Sequence, residues 1–216
     1  MSKQTAKGRK SRTLTPLNQQ PPNALAPQTA PMFISQHLKH AREYPLYGCW
    51  VMKNWQETGL TPVVIARQQE FRRIVFGVYL VDHYCLGIKN SFTRTDCSFS
   101  KFERELPGLC SGEPEPCSVE LAHEMIYGAL EYADKLGFQP HPDYYQMGAN
   151  LILDPPDAHP RMDHIAFGHD GKPLYISGPY DTEAMISSVI RTLTRTCGEG
   201  NFDYLVGIGG SDDMND

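Results

Sequence analysis

No apolar run in this chain approaches the roughly 20 residues that a membrane-spanning helix needs. The basic residues near its start are followed by no apolar segment, so the pattern of a secretory signal is missing. The cytoplasm is therefore the expected location, and the six cysteines are expected to be free thiols there. None of them forms a C-x-x-C pair, which argues against a zinc ribbon. Cys110 and Cys117, with six residues between them across a Pro/Gly-rich stretch, are expected to be independent thiols. There is no H-E-x-x-H pattern, no EF-hand spacing and no internal repeat. Gly207-Ile208-Gly209-Gly210 precedes no helical pattern, so it offers no helix N-terminus for a pyrophosphate, which speaks against dinucleotide binding. Acidic residues are absent from positions 1–42.

That last absence exposes a charge asymmetry. Positions 1–42 carry seven basic residues: Lys3, Lys7, Arg9, Lys10, Arg12, Lys39 and Arg42. The remaining 13 Lys and Arg face 25 Asp and Glu, so a body of charge −12 follows a basic arm. Residues 1–31 are rich in Gln, Pro, Ala and Thr without hydrophobic period, and are expected to be disordered because they bury too little to offset their ordering entropy. Lys3, Lys7, Arg9, Lys10 and Arg12 offer a contact to a protein or nucleic-acid partner; a solubilising tail is the plainer reading. One domain is expected over residues 32–210, with an acidic tail at 211–216.

The densest structural signal is residues 73–87. Ile74, Phe76, Val78 and Leu80 fall on one side of an extended chain, and Val75, Tyr79 and Val81 on the other. A strand apolar on both sides belongs inside a sheet covered on both faces. Around it, 46–52 (LYGCWVM), 62–67 (PVVIAR) and 91–96 (SFTRTD) read as strands, and 35–42 as a short helix or turn. Ser100 and Glu103 form a capping-box pattern for a helix that Pro107-Gly108 should stop, leaving 107–117 as a loop. Ser118 caps the clearest helix, whose apolar stripe runs from Leu121 to Leu136 and ends at Gly137. A further helix should begin at Asp143, and a third at an Asp181 cap, with Met185, Ile186, Val189, Ile190 and Leu193 inward. Asp170-Gly171 suggests a hairpin between 164–167 and 173–177, and 202–208 a last strand.

These segments predict an α+β fold: an antiparallel-rich mixed sheet with a central doubly buried strand, one long and two shorter helices. The early meander followed by a long helix resembles the ribonuclease-H-like arrangement in element order alone.

Chemistry concentrates where the buried strand meets Asp82, His83 and Cys85. Were the strand to stay regular, His83 and Cys85 would share a face, suited to a metal or a thiolate–imidazolium pair, with Asp82 as a cation ligand. The plainer reading is a buried thiol beside hydrogen-bonded polar groups. His123, Tyr127 and Glu131 repeat at helical spacing with Glu124 alongside: partners for Asp82, or an ordinary solvated face. His141 stands between Pro140 and Pro142, rigidly presented or merely part of a helix-breaking turn. Residues 154–170 are dense in Asp and His but match no metal-binding spacing.

Two functions follow as expectations. One is an interaction module binding a protein or nucleic acid, favoured because no catalytic motif is complete. The other is a metal-dependent hydrolase acting on phosphodiesters, with Asp82, His123, Glu124 and His141 catalytic, Asp82, His83 and Cys85 as metal ligands, and a divalent cation as cofactor.

Overall fold

A computed structural model describes residues 36–162 and 165–207. The basic arm and the acidic tail expected from the sequence lie outside the described residues. The chain is α+β. After a short helix α1 (Gln36–Lys39), four strands follow: β1 (Leu46–Met52), β2 (Leu60–Gln69), β3 (Arg73–Asp82) and β4 (Gly87–Ser98). Then come α2 (Phe99–Leu109), β5 (Pro114–Cys117), α3 (Val119–Lys135), α4 (Asp143–Gln146), β6 (Leu174–Ile176), α5 (Glu183–Cys197) and β7 (Asp203–Leu205).

The main sheet has five strands in the order β4-β3-β2-β1-β5, every neighbouring pair antiparallel. β3 is buried on both faces, as its composition demands, but β2 holds the middle place. Val63, Ile65, Val75, Tyr79 and Val81 pack against Ala122, Met125, Ile126 and Ala129 of α3. Val64, Ala66, Ile74, Phe76 and Val78 pack on the other side against Phe102 and Leu106 of α2. A third cluster of Cys85, Leu136, Tyr175, Leu193 and Phe202 joins α5 and the β6–β7 pair to the Asp82 end of the sheet.

Local signals place several boundaries correctly. β1 has the expected limits, and Ser118 caps α3 by accepting the Leu121 N–H at 3.1 Å. Gly137, at φ +89°, closes α3: its N–H reaches the Asp134 carbonyl, and the Phe138 N–H the Ala133 carbonyl, each at 2.9 Å.

Other expectations give way to tertiary packing. Ser98, not Ser100, caps α2, accepting from the Lys101 N–H. That helix runs through Pro107 because Leu106 and Cys110 are drawn into the core beneath it. The expected loop then contains an edge strand, β5. Thr182, not Asp181, caps α5, and Met185 points to solvent. The Asp170-Gly171 turn forms, with positive φ at both residues and a bridge from His169 to Lys172. The strands expected to flank it do not pair with each other: β6 pairs in parallel with distant β7, and residues 165–167 are not a strand.

Candidate functional site

β3 stops at Asp82, and residues 83–86 turn into β4. The alternation that would align His83 with Cys85 therefore ends one residue too early. The cause is Asp82 itself, whose Oδ1 accepts the Tyr84 and Cys85 N–H groups, both at 3.0 Å, a side-chain turn that competes with the ladder. Burial pushes the Asp82 carboxyl up to about 6, against the pull of Lys89 and the turn's N–H groups. His83 donates its backbone N–H to Gly59 and accepts from the Gly168 N–H. Its ring sits edge-on to Trp55, Nδ1 is buried without a partner, and burial lowers its pKa to about 4. Burial also raises the Cys85 thiol far above its usual range, with Asp82 adding to it. Neutral imidazole beside neutral thiol is the reverse of a thiolate–imidazolium pair.

The α3 residues serve the segment that follows α4. His123 is buried and its Nε2 donates to the Pro155 carbonyl at 2.8 Å. Tyr127 donates its hydroxyl to the Asp154 carbonyl at 2.9 Å. Glu124 is buried under Arg161, which donates to both carboxylate oxygens at 2.7 and 2.9 Å, while Glu131 takes the third guanidinium nitrogen. This face is thus a clamp on residues 154–162, not a solvated surface. His141, half exposed, accepts the Asp143 N–H at 3.3 Å in the turn before α4, and its own N–H holds the Ile88 carbonyl. Among the described residues, Asp82, the His123–Glu124 pair and His141 therefore occupy three separate hydrogen-bonded networks. Among the described residues, no three His, Cys, Asp or Glu side chains are grouped to hold a metal ion.

Two buried networks escape sequence reasoning. Arg67 of β2 is 4% exposed and donates to the Ile152 and Tyr44 carbonyls and to Asp154, whose other oxygen meets His159 at 3.0 Å. The His159 hydrogen bond and Arg67 hold the Asp154 carboxyl below its usual range despite the opposing effect of burial. A lone cation inside PVVIAR was the available clue, since a buried charge demands a partner. In the second network, Asp181 accepts from the Tyr175 hydroxyl at 2.7 Å and the Gly178 N–H at 2.8 Å, with Lys89 4.0 Å away.

Two surface features stand out. Ile176, Tyr180, Met185, Tyr204, Leu205 and Val206 are all exposed, Tyr180 by 74% and Leu205 by 59%. They belong to β6, β7 and the turns and helix start beside them, and Ile176 and Leu205 are register partners on one face. The Asp203 N–H reaches the Pro173 carbonyl and the Ser177 N–H the Leu205 carbonyl. In a parallel ladder that alternation turns the N–H and C=O of Tyr204 away from β6, toward the outer edge. At the other end of the sheet, the β2–β3 turn holds Phe71 and Arg72 at φ +54° and +57°. For such residues the left-handed region costs about 1–2 kcal/mol each. Phe71 is nevertheless 91% exposed.

Among the described residues no helix is long and apolar enough to cross a membrane. No family model matches the chain, and neither a curated protein nor a solved structure is found to be similar to it.

Proposed function

We propose that this chain is an interaction module that receives an extended segment of a partner protein along β7. The observation that carries the reading is the coincidence of exposed apolar side chains with an outward-facing strand edge at Tyr204–Leu205. An incoming strand gains main-chain hydrogen bonds from such an edge, and its alternate side chains find apolar contacts. Asp170 and Asp203 line the open depression beside β7, so a segment mixing apolar and basic residues is complementary. The hydrolase reading draws less support, because Asp82, His123, Glu124 and His141 each already serve a separate structural network.

The test compares proteins retained from a cell lysate by the immobilised full chain and by two variants, Ile176→Asp/Leu205→Asp and Tyr204→Pro. The first breaks the apolar face, and the second removes an outward N–H. At least one protein held by the native chain is expected to fall about tenfold or more with both variants, consistent with losing an interfacial contact of 1.4 kcal/mol. Unfolding midpoints control for folding. Identical retained sets from all three folded proteins would refute the reading.

A further inference from the structure

The six cysteines carry free thiols, and two of them face each other across the sheet. Cys49 of β1 and Cys117 of β5 are register partners in an antiparallel pair. Directly opposed residues of such a pair project to the same face. Both belong to the cluster under α3, Cys49 within it and Cys117 packed against it. The Lys53 N–H donates to the Glu113 carbonyl at 3.0 Å, which fixes the phase of the ladder. Every second pair along it is of the same hydrogen-bonded kind, so Cys49 and Cys117 make one, with Cα atoms about 5.5 Å apart. A disulfide accepts roughly 4.4–6.8 Å between Cα atoms. Its Cβ atoms lie roughly 3.5–4.5 Å apart, whereas opposed strand residues hold theirs at about 4.5–5.5 Å, so closure asks the two strands to approach by about an ångström.

β5 is the strand placed to make that approach. It is four residues long and stands last in the sheet, beside β1. Pro114 and Pro116 fall at the alternate positions, where an N–H would point away from β1. The edge keeps its bonds to β1 but offers a further strand no N–H at these residues. Cys117 is partly exposed and Cys49 is buried. Burial pushes both thiols up to about 12, and Cys49 adds to the effect on Cys117. Oxidation is therefore slow and begins at the accessible Cys117. The other cysteines are less well matched. Cys97 and Cys110 lie in the cluster under α2, on the opposite face of the sheet. Cys85 and Cys197 share the third cluster, but one sits in the 83–86 turn and the other ends α5, so no ladder fixes their separation.

We propose that Cys49 and Cys117 form a reversible dithiol–disulfide site, oxidised by exchange with a low-molecular-weight disulfide of the oxidised-glutathione type. The Cys117 thiolate attacks one sulfur of the reagent and expels a thiolate. The Cys49 thiolate then attacks the Cys117 sulfur of the mixed disulfide and expels the second. Two protein thiols are oxidised, one reagent disulfide is reduced to two thiols, and the two protons released by the protein end on them. The new bond ties the edge strand, and the start of α3 at Ser118, to β1. Because closure is strained, the bond is readily reduced again. The site shares no residue with the β7 surface, and the two readings stand or fall separately.

The test equilibrates the folded full chain with oxidised glutathione, quenches in acid, alkylates the remaining thiols under denaturing conditions and maps the peptides by mass spectrometry without reduction. Two of the six thiols are expected to be lost, and one cross-linked peptide pair holding Cys49 and Cys117 to appear. Reduced glutathione restores both thiols. Cys117→Ser and Cys49→Ala each prevent the cross-link while Cys110→Ser leaves it, with urea midpoints confirming that the variants fold. Hydrogen exchange at the Glu115 and Cys117 amides, which face β1 in this register, slows in the oxidised chain. Six intact thiols after equilibration, a Cys117 that stops at the mixed disulfide, a bond from Cys117 to Cys110, or unchanged exchange in β5 would each overturn the proposal.

Discussion

Asp82 and His83 are neighbours in sequence with opposite responses to burial. The Asp82 carboxyl rises from 3.8 to about 6, so the folded state holds a proton that the unfolded chain has released. Its stabilising effect is complete below 3.8 and is lost as pH rises through 6. His83 falls from 6.5 to about 4, so its contribution is complete above 6.5 and is lost as pH falls through 4. Between pH 4 and 6 the two slopes oppose and largely cancel. Asp82→Asn keeps an acceptor for the turn but leaves His83 unbalanced. Relative to the native chain, its stability should fall on acidification through this window, by up to about 1.4 kcal/mol per pH unit. His83→Gln should show the opposite trend. Urea unfolding at several pH values measures both, and profiles parallel to the native one would show that the pair does not titrate as described. The sequence identified these residues as titratable groups ending a buried strand. It did not reveal that Asp82 would spend its carboxylate on its own turn, because that depends on where the strand stops.

At the scale of elements, the helices show where local patterns suffice. α3 begins at Ser118 and ends at Gly137 because both caps are local hydrogen-bonding devices. The cap of α2 lies two residues before the Ser100 that the sequence suggests, since Ser98 and Ser100 are equally good caps in isolation. Ser98 receives the role because β4 delivers it in extended conformation at the sheet's edge. Ser98→Ala is expected to cost about 1 kcal/mol and Ser100→Ala under about 0.5 kcal/mol. Chemical denaturation of both variants checks this, and equal losses would contradict the capping assignment. The segments beside Asp170-Gly171 depart from the expected hairpin for a different reason. A tight turn announces itself locally, but the partner of β6 is β7, contributed from beyond an entire helix.

For the whole molecule, Arg67 is the cross-tie. It binds the entry segment at Tyr44, the segment after α4 at Ile152, and Asp154, all from the middle strand of the sheet. Arg67→Met preserves much of the volume but orphans these acceptors, and should destabilise the fold by about 3 kcal/mol, as breaking a buried ion pair does. A loss below about 1 kcal/mol in equilibrium unfolding would show the network to be dispensable. Hydrophobic period by itself determined the α+β class, the doubly covered strand, the long helix and its caps, because each depends on residues within a few positions of one another. Only the tertiary structure decided which polar groups meet. Arg67 and Asp154 are 87 residues apart, and His123 and Pro155 are 32 apart. Such partners are chosen by how sheet, helix and loop pack together, and burial then forces every charge to find whichever neighbour that packing brings.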